Sequence, residues 1–126
     1  MAPAGVSQVV PVLERARAAG IPVILVDTDA PWAGKLCYVG TDNRLGGRLA
    51  AEYLVRRLKG RGRVALVGGV PGVETGESRA AGFREALAAA PGIQIVAEQP
   101  ANFDRVLAMT VMENILTSNP RLDAVF

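Results

Sequence analysis

The sequence predicts an α/β protein built from parallel βαβ units. Strand-like segments begin near Arg63, Ile93 and Leu122, at intervals of about 30 residues, which is the length of a βαβ unit. The segments between them carry apolar residues at helical spacing: Phe83, Ala86, Leu87 and Ala90, then Ala108, Val111, Met112, Ile115 and Leu116. Strand, helix and strand in this order predict right-handed crossovers and a parallel sheet.

The first third of the chain continues the same alternation. A helix is predicted from the spacing of Val6, Val9, Val10, Leu13 and Ala16, and it ends at Gly20. The aliphatic run Ile21–Val26 is typical of a strand buried on both faces, and Leu36–Val39 is a second short strand. A long helix then follows Asp42, its expected N-cap, and Gly60 ends it. We therefore expect five parallel strands with helices on both sides.

Composition limits the chemistry that this chain can perform. Its 126 residues suit one domain of ordinary size, its net charge is +2, and it contains no His and one Cys. Triads that need His are excluded, and transition-metal sites lack their usual ligands, so we expect no metal and no cofactor. The apolar neighbours of Cys37 predict a buried structural thiol. No apolar run reaches the ~18 residues that a transmembrane helix needs.

Two motifs invite a functional interpretation that their details do not support. The loop Gly68–Ser78 follows a strand and opens a helix, but Glu77 stands where a phosphate-binding loop needs Lys. We interpret it as a turn in which Thr75 or Ser78 caps the next helix. The basic run from Arg56 to Arg63 could be a nucleic-acid patch, but no aromatic residues interleave with it. Cations that complement a helix C-terminus are the favoured interpretation, so no nucleic-acid partner is expected.

Open parallel sheets bind ligands beyond the carboxyl ends of their strands. The candidate residues at these ends each have two interpretations. Asp27 is either a turn former or a carboxylate that accepts from ligand hydroxyls. Arg79 is either a solvated residue or a ligand donor, and a cation early in a helix opposes the macrodipole. Phe103 is either a core anchor or a stacking surface, and it precedes Asp104, the expected cap of the next helix.

Five blocks of sequence, in order and at matching spacing, resemble the ribose-type periplasmic sugar-binding proteins of ABC transporters. The blocks are Ile21–Asp27, Thr41–Gly47, Asn102–Arg105, Val111–Leu116 and Asp123–Phe126. The resemblance runs from about Ala2 to Phe126. It implies a partial two-lobed periplasmic-binding-protein fold, with residues 1–41 as the C-terminal part of the first lobe and 42–126 as the N-terminal part of the second. Family members are about twice as long, so we interpret the chain as an interior fragment.

The resemblance also implies a function. The parent protein would bind a monosaccharide, a pentose or hexose, in an interlobe cleft without catalysis and deliver it to an ABC transporter permease. Asp27 would accept from sugar hydroxyls, Arg79 would donate to them, and Phe103 would stack on the sugar ring. Thr28 stands where ribose binders usually have Arg, which puts ribose itself in doubt. Asp29 and Trp32 follow closely and are candidates for reshaping this side of the cleft.

Other classes stay open at this point. The alternative is the sugar-effector domain of a lactose-repressor-type regulator, and an α/β enzyme is the least supported. Residues Met1–Ala4 lack signal-peptide features. This fits either a cytosolic protein or, as we favour, a chain that begins inside a longer one whose parent is periplasmic or lipid-anchored outside the cell. The strand Leu122–Phe126 lacks elements that would follow and cover it, so we expect exposed apolar surface and self-association.

Overall fold

The computed structural model describes residues 6–126, with side chains from Gln8 onward, so the expectation about Met1–Ala4 lies outside the described residues. The chain divides into two compact units between Asp42 and Asn43. The first contains α1 (Val6–Ala18), β1 (Ile24–Val26) and β2 (Cys37–Val39). The second contains α2 (Asn43–Arg57), β3 (Gly62–Gly68), α3 (Glu74–Ala88), β4 (Ile93–Pro100), α4 (Arg105–Ser118) and β5 (Ala124–Val125).

All pairings between these strands are parallel. In the first unit β1 pairs with β2, with Leu25 opposite Tyr38. In the second unit β3 is the central strand of a sheet with the order β4-β3-β5. The prediction of five parallel strands is confirmed, and the strands form one small sheet and one larger sheet.

The core of the second unit lies on both faces of β3. Val64 and Leu66 point toward α2 and α3, where they pack with Phe83, whereas Ala65 lies on the opposite face with Val111 of α4. The Phe83 ring is fully buried and stacks on Phe126 with a centroid distance of 4.3 Å. Helices therefore cover both faces of this sheet, as the βαβ pattern predicts.

The first unit has a small core beneath α1. The helix ends at Ala18, and Gly20 stands just beyond it as the predicted stop, with a φ of 70° that suits the left-handed position of a C-terminal cap. The N–H groups of Gly20 and Ile21 donate to the carbonyls of Arg17 and Ala16. Leu13 packs against Leu25 and the buried indole of Trp32.

Two burial predictions for the first unit are wrong. Only Leu25 of β1 is buried, while Ile24 and Val26 are 46% and 44% exposed. Cys37 is an exposed free thiol, not a buried one. Both errors have the same cause: among the described residues, α1 covers only the face of the small sheet that carries Leu25.

Apolar surface is also exposed on the second unit. On α4, Val106, Met109 and Leu116 are 72%, 59% and 51% exposed. On the terminal strand, where exposed apolar surface was expected, Val125 is 42% exposed; self-association of the chain stays a prediction. None of the helices found in residues 6–126 combines the length and apolar character that crossing a membrane requires.

Candidate functional site

Asp27 follows β1 directly and its backbone is held in an uncommon conformation. Its φ is 68°, a region that non-glycine residues rarely adopt. The N–H of Thr28 donates to the carbonyl of Val26 at 2.8 Å, so the chain makes a γ-turn centred on Asp27. With positive φ this is the strained form of the turn. The Asp27 N–H donates to the Val39 carbonyl at 2.9 Å. The Asp27 carbonyl accepts from the Tyr38 hydroxyl at 2.7 Å.

The Asp27 carboxylate is exposed, and its neighbour Thr28 is buried. The Thr28 hydroxyl lies 3.4 Å from Asp27 Oδ2, so the hydrogen bond between them is long and weak and leaves the carboxylate able to accept from other donors. The hydroxyl of Thr28 is neutral and points at the neighbouring Asp27. It therefore does not supply the charged donor that an arginine at this position would.

Trp32 is buried in the first unit. Its indole is 5% exposed within the core of the first unit, and Nε1 donates to Glu14 Oε1 at 2.6 Å. That hydrogen bond is the largest influence on Glu14 and, with Arg17 beside it, lowers the pKa of this carboxyl against the opposing effect of desolvation. Trp32 therefore serves the core of the first unit, and an influence on the cleft stays a prediction.

Asp29 is engaged within its own loop. Lys35 Nζ donates to Asp29 Oδ1 at 2.5 Å, and the Ala30 N–H donates to the same oxygen at 2.8 Å. Desolvation raises the pKa of Asp29, but the two hydrogen bonds and the Lys35 charge outweigh it, so the pKa lies below its ordinary value. This ion pair stabilises the turn that follows Asp27.

The start of α3 differs from the sequence prediction. Neither Thr75 nor Ser78 caps the helix: the N-cap residue is Val73, whose side chain makes no cap hydrogen bond. The Glu77 carboxylate instead accepts from the Gly72 N–H at 3.2 Å. Acidic Glu74 and Glu77 in the first turn complement the macrodipole, which makes a hydroxyl cap unnecessary and also disfavours an anion here.

Arg79 lies in the second turn of α3 and is hydrogen-bonded to the start of α2. Its Nε–H donates to Asn43 Oδ1 at 2.8 Å. The Arg79 residue is exposed, whereas Asn43 is 4% exposed. This hydrogen bond uses the Nε–H of an exposed arginine and does not involve its terminal guanidinium nitrogens.

Two glycines bring α2 and α3 into backbone contact beside this hydrogen bond. A Cβ atom added to Gly47 would lie 1.9 Å from the Arg79 carbonyl oxygen. One added to Gly82 would lie 1.9 Å from the Arg44 carbonyl oxygen. Any side chain at these positions would separate the helices, so the glycines fix the distance between Asn43 and Arg79.

Phe103 stands between β4 and α4 and is 62% exposed, so the core-anchor interpretation is wrong. Both Asn102 and Phe103 have a φ of 55°. Asp104 is the N-cap of α4, as predicted, and accepts from the Leu107 N–H at 2.7 Å. The Phe103 ring lies on the backbone of Gly69, where an added Cβ would be 2.1 Å from Phe103 Cζ.

A groove of about 300 Å³ opens beside the Phe103 ring at the carboxyl ends of β3 and β4. It is lined by the end of β3, the loops that follow β3 and β4, and the first turn of α4: Val67, Gly68, Gly69, Ala101, Phe103, Asp104, Arg105 and Ala108. Its walls are a few polar groups around an aromatic and small apolar residues, a composition typical of small-molecule sites. In residues 6–126, no group of three or more Asp, Glu, Cys or His side chains could hold a metal ion.

The structure distributes the predicted site residues over both units. Asp27 and Thr28 lie together in the first unit, and Arg79 and Phe103 lie in the second. Sequence reasoning missed Asn43, the buried partner of Arg79. The signal available was its place beside Asp42, which we interpreted only as a helix start and a boundary between lobes.

Comparison with known proteins identifies the class to which these features belong. The profile of a family described as Periplasmic binding protein domain matches residues 1–126. The chain is 35% identical over 114 residues to the ribose import binding protein RbsB of Escherichia coli, covering 90% of this chain and 38% of that protein. It is 37% identical over 131 residues to the D-ribose/D-allose-binding protein of Pseudomonas aeruginosa, covering 99% and 41%.

The chain belongs to the periplasmic binding protein domain family, which confirms the resemblance found in its sequence. It spans roughly two fifths of the length of these relatives.

Solved structures agree in fold. An ABC transporter solute-binding protein from Burkholderia graminis, in complex with D-arabinose, superposes with a TM-score of 0.92 at 35% identity, over 96% of this chain and 42% of that one. A periplasmic solute-binding protein of an ABC transporter from Actinobacillus succinogenes, with bound D-allose, gives 0.91 at 38% identity, over 99% and 47%. The predicted partial periplasmic-binding-protein fold is thus confirmed.

Proposed function

We propose that the protein to which this chain belongs is the solute-binding component of an ABC sugar importer. It binds a pentose or hexose in a cleft between two lobes and performs no chemistry on it. Residues 1–41 would form the C-terminal part of the first lobe and 42–126 the N-terminal part of the second. The named relatives support this role over that of a transcription regulator, because they are import and transporter binding proteins.

The observation that carries the proposal is that strained backbone conformations lie at the carboxyl ends of two strands. Four non-glycine residues of the described chain have positive φ. One, Lys59, follows the end of α2, but Asp27, Asn102 and Phe103 lie at the carboxyl ends of β1 and β4. Each such residue costs about 1–3 kcal/mol, and such strain clusters at ligand sites. Two of the three are residues that the family resemblance assigns to sugar binding.

The chemistry of the proposed site suits a neutral polyhydroxyl ligand. The exposed Asp27 carboxylate accepts from hydroxyl donors, and charge-assisted hydrogen bonds of this kind are the strong ones. The Arg79 guanidinium presents a planar fork that matches two neighbouring hydroxyl oxygens. The exposed Phe103 ring supplies an apolar face for the C–H side of a sugar. Because Thr28 stands where ribose binders usually have Arg, pentoses other than ribose, and hexoses, are the first candidate ligands.

Titration calorimetry of the full-length protein against a panel of pentoses and hexoses tests the proposal. Arg79→Ala should weaken the binding of the preferred sugar by about ten- to a hundredfold, because a hydrogen bond to a charged group contributes roughly 1.5–3 kcal/mol. Arg84→Ala is the matched control, since Arg84 is an exposed arginine of the same helix whose partner is Glu98. No binding heat with any sugar would contradict the function, and equal affinities of wild type and Arg79→Ala would contradict the site.

The partner and location of the full-length protein follow from this role. A solute-binding component would dock on an ABC transporter permease, and it would work in the periplasm or as a lipid-anchored protein outside the cell. The relatives are periplasmic binding proteins, which supports the periplasm. Self-association of the 126-residue chain through its exposed apolar surface is a separate proposal, and sedimentation that shows a monomer at high concentration would refute it.

A further inference from the structure

We infer that Asn43 is a positioning residue, which holds the Arg79 guanidinium in the orientation that binds sugar. The inference rests on the proposed function and extends it to a residue that does not itself touch the ligand. Asn43 is the first residue of α2 and is 4% exposed, so its side chain has one fixed environment. Its Oδ1 accepts from Arg79 Nε at 2.8 Å.

The choice of nitrogen matters for the function of the arginine. A guanidinium is planar and carries five N–H donors in a rigid fork. An acceptor at Nε restricts the plane of the group while it leaves the four terminal N–H donors free. An acceptor at the terminal nitrogens would occupy the donors that a pair of sugar hydroxyls needs. Asn43 therefore restrains Arg79 without competing with a ligand.

The two helices supply a rigid base for this hydrogen bond. Gly47 lies one turn after Asn43 and touches the Arg79 carbonyl oxygen, and Gly82 touches the Arg44 carbonyl oxygen in return. The backbone that carries the donor and the backbone that carries the acceptor are thus in direct contact. A binding group that is ordered before the ligand arrives loses less conformational entropy on binding.

If the same hydrogen bond had a purely structural role, removal of Asn43 would have a different effect on sugar affinity. Arg79 could serve only to satisfy a buried amide oxygen at the start of α2. Removing Asn43 would then lower stability and leave the affinity of the folded protein for sugar unchanged. Affinity and stability must therefore be measured separately on the full-length protein.

The test is a double-mutant cycle with sugar affinity as the readout. Asn43→Ala should weaken sugar binding about tenfold, and the Asn43→Ala/Arg79→Ala protein should bind no more weakly than Arg79→Ala alone. Asn43→Asp keeps an acceptor oxygen and should stay within about threefold of wild type. Ala51→Gly is the control, because it destabilises the same helix at a fully buried position away from Arg79.

A spectroscopic readout makes the test independent of the sugar. The Nε–H resonance of Arg79 should be shifted and protected from solvent exchange in wild type and Asn43→Asp, and lose both properties in Asn43→Ala. If Asn43→Ala does not fold, Asn43→Ser replaces it, because the serine oxygen is one atom too short to reach Arg79.

The outcomes separate this inference from the proposed function. If Arg79→Ala binds sugar normally, the site assignment itself fails. If Arg79→Ala loses affinity but Asn43→Ala does not, or if the two losses add in the double mutant, the positioning role of Asn43 is overturned.

Discussion

Replacing Gly47 by alanine is the sharpest test of how α2 and α3 pack. Gly46 and Gly47 are the fourth and fifth of the 15 residues of α2, so the same substitution at either position changes helix propensity by about the same amount. Their surroundings are opposite. A Cβ on Gly46 meets nothing within 4 Å, whereas a Cβ on Gly47 would lie 1.9 Å from the Arg79 carbonyl oxygen and 3.0 Å from the Phe83 nitrogen.

The expected magnitudes follow from these distances. Alanine in place of glycine inside a helix stabilises it by about 0.8–1 kcal/mol, and Gly46→Ala should show this gain. At Gly47 the helices must part by about 1.5 Å to reach an ordinary contact distance of 3.4 Å. The obstacle is backbone, so no side chain can turn aside. Overpacking of this kind costs about 1–3 kcal/mol, and we place Gly47→Ala at the upper end, with a net loss of about 2 kcal/mol.

Urea denaturation of the full-length protein measures both effects, provided that the dependence of the unfolding free energy on urea concentration is the same in wild type and variants. The midpoint of Gly46→Ala should rise and that of Gly47→Ala should fall. A shift of both variants in the same direction would show that propensity, and not the helix contact, controls the response. A Gly47→Ala protein as stable as wild type would refute the close packing of α2 on α3.

Two further predictions concern carboxylates. Asp104→Ala removes the N-cap of α4 and should lower the free energy of unfolding by about 1 kcal/mol, measured by thermal or urea denaturation; unchanged stability would contradict the cap. For Asp29, the folded-state pKa lies below the ordinary value of 3.8, so the ion pair with Lys35 contributes stability above that pH and loses it as the pH falls through the folded-state pKa. The two side chains are 34% and 22% exposed, so the contribution is below about 1 kcal/mol. Asp29→Asn should therefore reduce the acid sensitivity of unfolding slightly, and an identical pH profile would contradict the pairing.

The spacing of apolar residues predicted the fold well wherever a helix covers a strand of the same unit. The apolar rhythm from β3 onward gave the order, direction and layering of the second unit, because each helix there buries its apolar face against a strand of the same unit. Prediction failed for β1 and Cys37, where an aliphatic run was assumed to be buried. Burial depends on what lies over a strand, and α1 covers only the Leu25 face.

The candidate site was predictable only in part. Parallel strand ends located Asp27 and Phe103, since sheet topology follows from the order of elements. The partner of Arg79 was not predictable, because the contact between Asn43 and Arg79 spans 36 positions and depends on a helix crossing set by two glycines. The cap of α3 was mispredicted for a related reason: local preference favoured Thr75 or Ser78, but the helix begins after Val73 without a side-chain cap, and Glu74 and Glu77 complement its macrodipole instead.

The positive φ of Phe103 has a consequence for anyone who engineers this protein for heat resistance. An aromatic residue in this conformation stores free energy that a glycine or asparagine at the same position would release. A screen for thermal tolerance alone should therefore enrich replacements at Phe103 early, and the survivors would carry a loop of lower energy without the exposed ring. Stabilised variants of this protein should be sorted by whether they retain that ring before they are compared for anything else.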